Sequence, residues 1–459
     1  ALLSEDYLEG HAARVYQCGG ESAPDGVGPY AFCTDSYHEA QADARGDFFF
    51  DPNEPDLHDA FAEAQAYHHV TQYLGWLEER FGFRPSCAGQ TALNVYVNLD
   101  WPDAFYGDTD GDPDACGDVT LGQGAVDFAY DGEIIYHEVG HAMVDGTAHL
   151  GGPFLGMNGD ALGLDLMPTA LNEGFADYFA ASYTGDPEIG EYAAINGGQP
   201  YLRTLANEAS CPDAVSGEPH QDGLVLSGAL WSLRQELGAT PVDLLAYGAL
   251  LSLPSDADFR DAHTALLASA QALVVEGVLP PGSVAKVQAE IGPTGRGFLR
   301  CERIKEVEAG ATTGEVRIQG PATVPGFLDA LPLPMQWKVI PEPRSQGAYL
   351  SFTSTLAADS DYTVYIQRGA PVTAAMAYPE PQVSAQAAVA GRPERIELGA
   401  NSTPAWESQA VYYVTVVYSS PRPVSFSLEV SSIGASTPSQ PHSSGSASLG
   451  PGRPHQGCT

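Results

Sequence analysis

Tyr136-His137-Glu138-Val139-Gly140-His141 is the most informative stretch of this 459-residue chain. It lies inside 131–147, whose apolar spacing predicts a helix. Residues four apart sit on one helical face, one turn from each other, so the imidazoles of His137 and His141 can converge on a single zinc ion. Glu138 then projects beside that ion, where its carboxylate can take a proton from a bound water. The alternative is a solvated helix that happens to carry two histidines.

A zinc site needs a third ligand, and residues further along narrow the choice. Spacing schemes that place Gly and His three and six residues after the second His fail, because Val144 and Thr147 stand there. A Gly-Thr-x-x-Asp scheme fails at Leu150. What does follow is Leu171-Asn172-Glu173-Gly174-Phe175-Ala176-Asp177-Tyr178-Phe179, inside a predicted helix over 168–184. Glu173 and Asp177 share a face of a helix that Phe175, Ala176, Phe179 and Ala180 make largely apolar. Two acids on a buried helix need a partner, and a cation supplies one. Glu173 suits the metal, and Asp177 suits the far nitrogen of a ligand histidine. His149, Asp160 and Asp165 are competing third ligands.

The pair of motifs H-E-x-x-H and N-E-x-x-x-D resembles that of the gluzincins, the thermolysin-like and fungalysin-like zinc metallopeptidases, over roughly residues 57–275. The resemblance implies an α+β zincin-type catalytic domain. It implies His137, His141 and Glu173 as zinc ligands, Glu138 as catalytic base, and Asn172 and Asp177 as partners of the ligands. Asp103-Ala104-Phe105-Tyr106 looks like the family's edge strand, whose backbone pairs with substrate, so Ala104 and Tyr106 are candidate substrate-binding residues. Tyr201-Leu202-Arg203 looks like the segment whose Arg contacts a substrate carbonyl; a structural Arg203 paired with an acid is the alternative. Pro219-His220-Gln221-Asp222-Gly223 looks like the loop whose His stabilises the oxyanion. The match has two departures. A Gly-rich stretch lengthens the gap between His141 and Glu173 and contains no Tyr for the second oxyanion donor. His220 stands four residues before the aligned position, which Leu224 occupies. Endopeptidase action on polypeptides is expected, since no acidic anchor for a free amine is recognisable. A dormant zincin fold that binds or adheres, and a zinc hydrolase with a non-protein substrate, are the competing readings.

Asp108, Asp110, Asp112, Asp114 and Asp118 place five carboxylates in eleven residues around a Gly turn. The text resembles a thrombospondin-type calcium repeat and suits a hard cation; an acidic solvated loop is the alternative. Further helices are predicted over 57–83, 224–237 and 258–276, and a strand over 93–99. From residue 311 to 431 short alternating runs predict a β-sandwich. These resemble the jelly-roll-like bacterial pre-peptidase C-terminal domain, which implies a role in binding substrate, calcium or carbohydrate, or removal during secretion; a stability module with no ligand is the alternative. The three expected regions are thus a catalytic domain at 1–310, the sandwich at 311–431 and a disordered Ser/Gly/Pro-rich tail at 432–459.

With 20 basic and 59 acidic side chains the formal charge is −39, which argues against nucleic acid and anionic membranes as partners. No apolar run is long enough for a membrane span. Apolar residues at 44% allow a sizeable core, and 10% aromatics with only 17% charged residues exclude a disordered acidic polymer. Six of the seven cysteines lie in the main body, an even number that suits three disulfides in a secreted protein; buried free thiols are the alternative. A secreted monomer in mature or trimmed form is expected, with the tail a possible point of cell-surface attachment.

Overall fold

The computed structural model describes residues 4, 6–19, 33, 36–53, 56–85, 92–107, 117–151, 158–309, 316–320, 331–356, 361–373, 387–389, 394–420 and 424–434. Asp108, Asp110, Asp112 and Asp114, Cys87, Cys116 and Cys458, and the tail beyond Gly434 lie outside them.

The chain opens with β1 (Ala13–Gln17), α1 (Ala60–Phe81), β2 (Leu93–Leu99), β3 (Ala104–Gly107) and β4 (Asp118–Gly122). The strands form one sheet in the order β1-β2-β4-β3; β1, β2 and β4 are parallel, and β3 runs antiparallel at the edge. Alternating Leu93, Val95 and Val97 bury one face of β2. Helix α1 buries Ala62, Ala66, Val70, Tyr73, Leu74 and Leu77, a stripe at helical spacing. Asp59 caps its start by accepting from Phe61 N, and Gly82 ends it at φ 70°.

Next come α2 (Gly132–Asp145), the hairpin β5 (Asn158–Asp160) and β6 (Gly163–Asp165), then α3 (Met167–Thr184), β7 (Glu188–Ile189), α4 (Glu191–Ala194) and β8 (Arg203–Thr204). Helices α5 (Pro219–Leu237), α6 (Ala239–Leu250), α7 (Phe259–Val275) and α8 (Ser283–Ile291) complete the helical part. α2 and α3 are buried almost all round, as helices at the centre of a domain must be. Among the described residues no helix is long and apolar enough to cross a membrane.

The remaining strands are β9 (Ile304–Glu308), β10 (Val316–Gly320), β11 (Leu331–Pro332), β12 (Gln336–Ile340), β13 (Gly347–Ser354), β14 (Asp361–Arg368), β15 (Ala387–Val389), β16 (Glu394–Leu398), β17 (Tyr412–Tyr418) and β18 (Val424–Ile433). One sheet has the order β10-β18-β13-β16, the other β15-β14-β17-β12-β9, with β11 also on β17. Their faces meet through Trp337 and Phe352, ring centres 6.0 Å apart, and through Tyr362 and Phe426 at 5.3 Å. β9, upstream of residue 311, pairs parallel with β12 and so belongs to this sheet. Cys211 and Cys301 form a disulfide that ties the start of β9 back to the loop before α5, and Cys18 pairs with Cys33.

Candidate metal centre

Helices α2 and α3 cross at Gly140. A Cβ there would lie 3.0 Å from Ala176 Cα, tighter than an ordinary side-chain contact, so glycine eases this approach. α3 and α5 cross in the same way at Gly174 and Gly223: a Cβ on Gly223 would lie 2.8 Å from Ala170 O and 3.1 Å from Glu173 Cβ. These two crossings bring side chains from three helices to one point.

At that point His137 Nε2 is 3.1 Å from Glu173 Oε2 and 3.0 Å from His141 Nε2, and His141 Nε2 is 3.5 Å from the same carboxylate oxygen. His220 Nε2 lies 3.4 Å from it. The far nitrogens have separate partners. His137 Nδ1 is 2.8 Å from Asp177 Oδ1, and His141 Nδ1 is 2.8 Å from Asn172 Oδ1. Asn172 spends its amide on Leu150 O, so its oxygen faces the histidine as an acceptor. A carboxylate and an amide oxygen accept only, so each ring donates from Nδ1. With Nδ1 committed to these acceptors, Nε2 is the nitrogen of each ring left to meet the Glu173 carboxylate or a cation. Two imidazole nitrogens and a carboxylate oxygen that converge in this way could hold a metal ion, and N/O donors suit zinc among the divalent metals.

The electrostatics follow from the packing. Burial pushes the Asp177 carboxyl up, but Arg203 and His137 outweigh it and hold it below the usual range. Arg203 grips Asp177 by Nε and a terminal nitrogen at 2.8–3.0 Å. Arg203 is thus the structural partner of an acid, and its terminal nitrogen also comes within 3.3 Å of His137 Nδ1. Glu173 is held well below its ordinary value: burial opposes this, and His220 and His141 overcome it. Burial pulls His141 down, yet Glu173 lifts it to about 9. Glu138 is buried, which pushes its carboxyl up; the two motif histidines pull it down, and Glu173 and Asp103 add to the rise.

The competing ligands are elsewhere. His149 is exposed and 3.0 Å from Asp145, while Asp160 and Asp165 both pair with Arg303. Asp118 is buried in β4, its carboxylate accepting from Asn94. A different acidic group, Asp186, Glu188 and Glu191, brings carboxylate oxygens within 4.8 Å of one another.

His220 is not in a loop. It occupies the first turn of α5, which starts five residues before the predicted 224, with Glu218 as N-cap and Pro219 next. That polar first turn carries no apolar periodicity, so the spacing alone misses it. Leu224 is one turn further along the same face, which accounts for the four-residue offset. Ala104 and Tyr106 are on β3, the edge strand. The Tyr106 hydroxyl donates to Asp145 and accepts from Gly117 N, so its side chain is engaged with the end of α2.

Two acids reach the site without a role assigned from sequence. Glu218 accepts from His220 Nδ1 at 2.8 Å and, with Glu173, lifts that ring to about 10 against the effect of burial. Its signal was local, an acid just before Pro-His at a helix start. Asp103, beside β3, is open to solvent yet crowded by protein, as a group lining a cleft is. Burial raises its carboxyl and His220 opposes the rise.

The chain is thus a mixed α/β protein in which crossing helices, beside a sheet with an antiparallel edge strand, gather His and Glu side chains that could hold a metal ion. No protein-family profile and no curated protein matches the chain. Among solved structures it is similar to the precursor of protealysin, a metalloproteinase from Serratia proteamaculans, at 17% identity and a TM-score of 0.41 over 60% of this chain and 86% of that one. It is also similar to the pre-peptidase C-terminal domain of a collagenase from Bacillus anthracis, at 13% identity and a TM-score of 0.17 over 28% of this chain and 97% of that one. At these TM-scores neither likeness carries the functional reading.

Proposed function

We propose that the chain is a secreted zinc-dependent endopeptidase of gluzincin type. The observation behind this is the convergence of His137 Nε2, His141 Nε2 and Glu173 Oε2 with both histidine tautomers set by Asp177 and Asn172. In this reading His137, His141 and Glu173 hold the zinc, which supplies a Lewis acid and lowers the pKa of a water toward ~7. Glu138 takes a proton from the attacking water and hands it to the leaving amine. The β3 edge aligns an extended peptide through the backbone of Ala104 and Tyr106. His220, oriented by Glu218, donates toward the oxygen of the scissile carbonyl as charge develops there. Arg203 holds Asp177, and through it His137. The two C-terminal sheets are read as a β-sandwich module that begins at β9, and the disulfides support an oxidising, extracellular setting.

The test is metal content by mass spectrometry together with casein hydrolysis. One zinc per chain is expected, lost in Glu173→Ala. Glu138→Ala should keep the metal and lose ~10²–10⁴-fold in rate. A wild-type chain that holds zinc and cleaves no protein would overturn the peptidase reading.

A further inference from the structure

A cavity of about 860 Å³ is lined in part by the loop that leads to His220. Pro212, Asp213 and Ser216 of that loop form one wall, and Ser216 N and Gly217 N donate to Asp222, which fixes the loop on the first turn of α5. The opposite walls carry Arg300, Lys305, Arg317 and Lys338, four of the 20 basic residues of a chain with 59 acids. In such a chain a cation ordinarily finds a carboxylate. Lys338 does, pairing with Glu306 at 2.7 Å. The other three do not, among the described residues. Lys305 Nζ reaches only the backbone oxygen of Asp213 at 3.3 Å, Arg317 reaches the hydroxyl of Ser425, and the Arg300 guanidinium has no hydrogen-bond partner among the described residues. Two acids, Asp213 and Glu302, also line the cavity without an ion pair to these cations, so its excess of positive charge is small and local.

The backbone around the cavity is equally specific. Lys305 is on β9 and Arg317 on β10, and each is the outermost strand of its sheet among the described residues. Two strand edges therefore flank one cavity with three unpaired cations, and Tyr413 from β17 contributes a ring to its lining.

We propose that this cavity binds an extended, acidic segment of polypeptide, whose backbone pairs with a strand edge and whose carboxylates meet Arg300, Lys305 and Arg317. A strand edge recognises peptide backbone and offers nothing comparable to a sulfated sugar, which is why a polypeptide is the better occupant. Arg supplies forked donors that match carboxylates. That the segment belongs to a substrate, held away from the scissile bond, rests on the peptidase reading above; the site itself does not.

The experiment measures fluorescence anisotropy of a labelled Glu-Val-Glu-Thr-Glu-Val peptide on the full chain carrying Glu138→Ala, so that nothing is cleaved. The Gln-for-Glu peptide should bind at least ~tenfold more weakly, and Arg300→Gln and Arg317→Gln should each weaken the acidic peptide by about tenfold. Both arginines are exposed, so an unchanged melting curve separates lost binding from lost fold; Lys305→Met is the further variant. Raising salt should weaken the acidic peptide alone. Equal binding of the two peptides, arginine variants that bind like the parent, or sulfated dextran binding through the arginines where the peptide does not would each overturn the proposal. If wild type hydrolyses no protein while the peptide still binds in this way, the peptidase reading fails and the site stands.

Discussion

At the residue scale the centre depends on atoms that never touch a cation. Asp177 accepts from His137 Nδ1 and is itself held by Arg203, so one carboxylate sets both the tautomer and the direction of a ligand ring. Asp177→Asn keeps the shape but can present an amide to the ring, and zinc affinity in a chelator competition should drop ~10–100-fold. A second residue-scale prediction concerns Glu63 of α1. It is fully buried, its Oε1 accepts from Glu39 N and Ala40 N, and burial pushes its carboxyl to about 8. The folded state thus keeps a proton that the unfolded chain releases at an ordinary carboxyl value. The associated stability is complete below ~4.5, falls as pH rises, and is gone above about 8. Urea melts of Glu63→Gln against wild type across that window should show the variant losing less stability on going from acid to mildly alkaline pH. Of these residues the ligands and Asp177 are legible in the sequence, because a helix puts i and i+4 side by side whatever surrounds it. Asp103 is not, because it meets the site only through packing; Glu218 is two residues from His220, yet it comes to the centre only because α5 packs on α3.

At the element scale, the centre exists because α2, α3 and α5 approach closely at Gly140, Gly174 and Gly223. Gly140→Ala would push a methyl group against Ala176 backbone and force α2 and α3 apart, at a cost of ~1–3 kcal/mol. The separation also spreads His137 and His141 from Glu173, so the variant should lose zinc at chelator concentrations that wild type survives. A folded Gly140→Ala with wild-type affinity would show that the crossing is not the positioning contact. The predicted helices over 57–83, 131–147, 168–184 and 258–276 match α1, α2, α3 and α7 closely, since their apolar spacing is strong. α6, α8 and β1 escaped notice. α6 is apolar nearly throughout and follows α5 at once, so its spacing has no contrast; β1 is only five residues long. The short alternating runs expected between 311 and 431 include those that form β13, β14, β17 and β18.

At the scale of the whole molecule, the Cys211–Cys301 bridge spans 90 residues of sequence and joins the loop before α5 to the segment entering β9. It fixes one wall of the basic cavity relative to another. Cys211→Ser with Cys301→Ser should cost ~2–5 kcal/mol in a reversible melt, because the unfolded chain regains the freedom that the cross-link removes. The charge of −39 belongs to this scale too. It argues against broad polyanion surfaces as partners, yet three cations in one cavity can act locally, since fields from exposed charges fade within ~8 Å at physiological salt.

What the sequence determined by itself was local: the helices bearing His137, His141 and Glu173, the strand-rich texture after residue 311, and the placing of Glu138 between two histidines one turn apart. Each is encoded in residues a few positions from one another, where backbone geometry alone sets what shares a face. Only the tertiary structure decided that His220 starts a helix and faces Glu173, that Arg203 serves Asp177, that Arg303 removes Asp160 and Asp165 from contention, and that β9 belongs with the later sheets. It also decided that Arg300, Lys305 and Arg317 line one cavity, none of them in an ion pair among the described residues. Those relations join residues tens to hundreds of positions apart, and they are set by how helices and sheets pack, which no periodicity along the chain records.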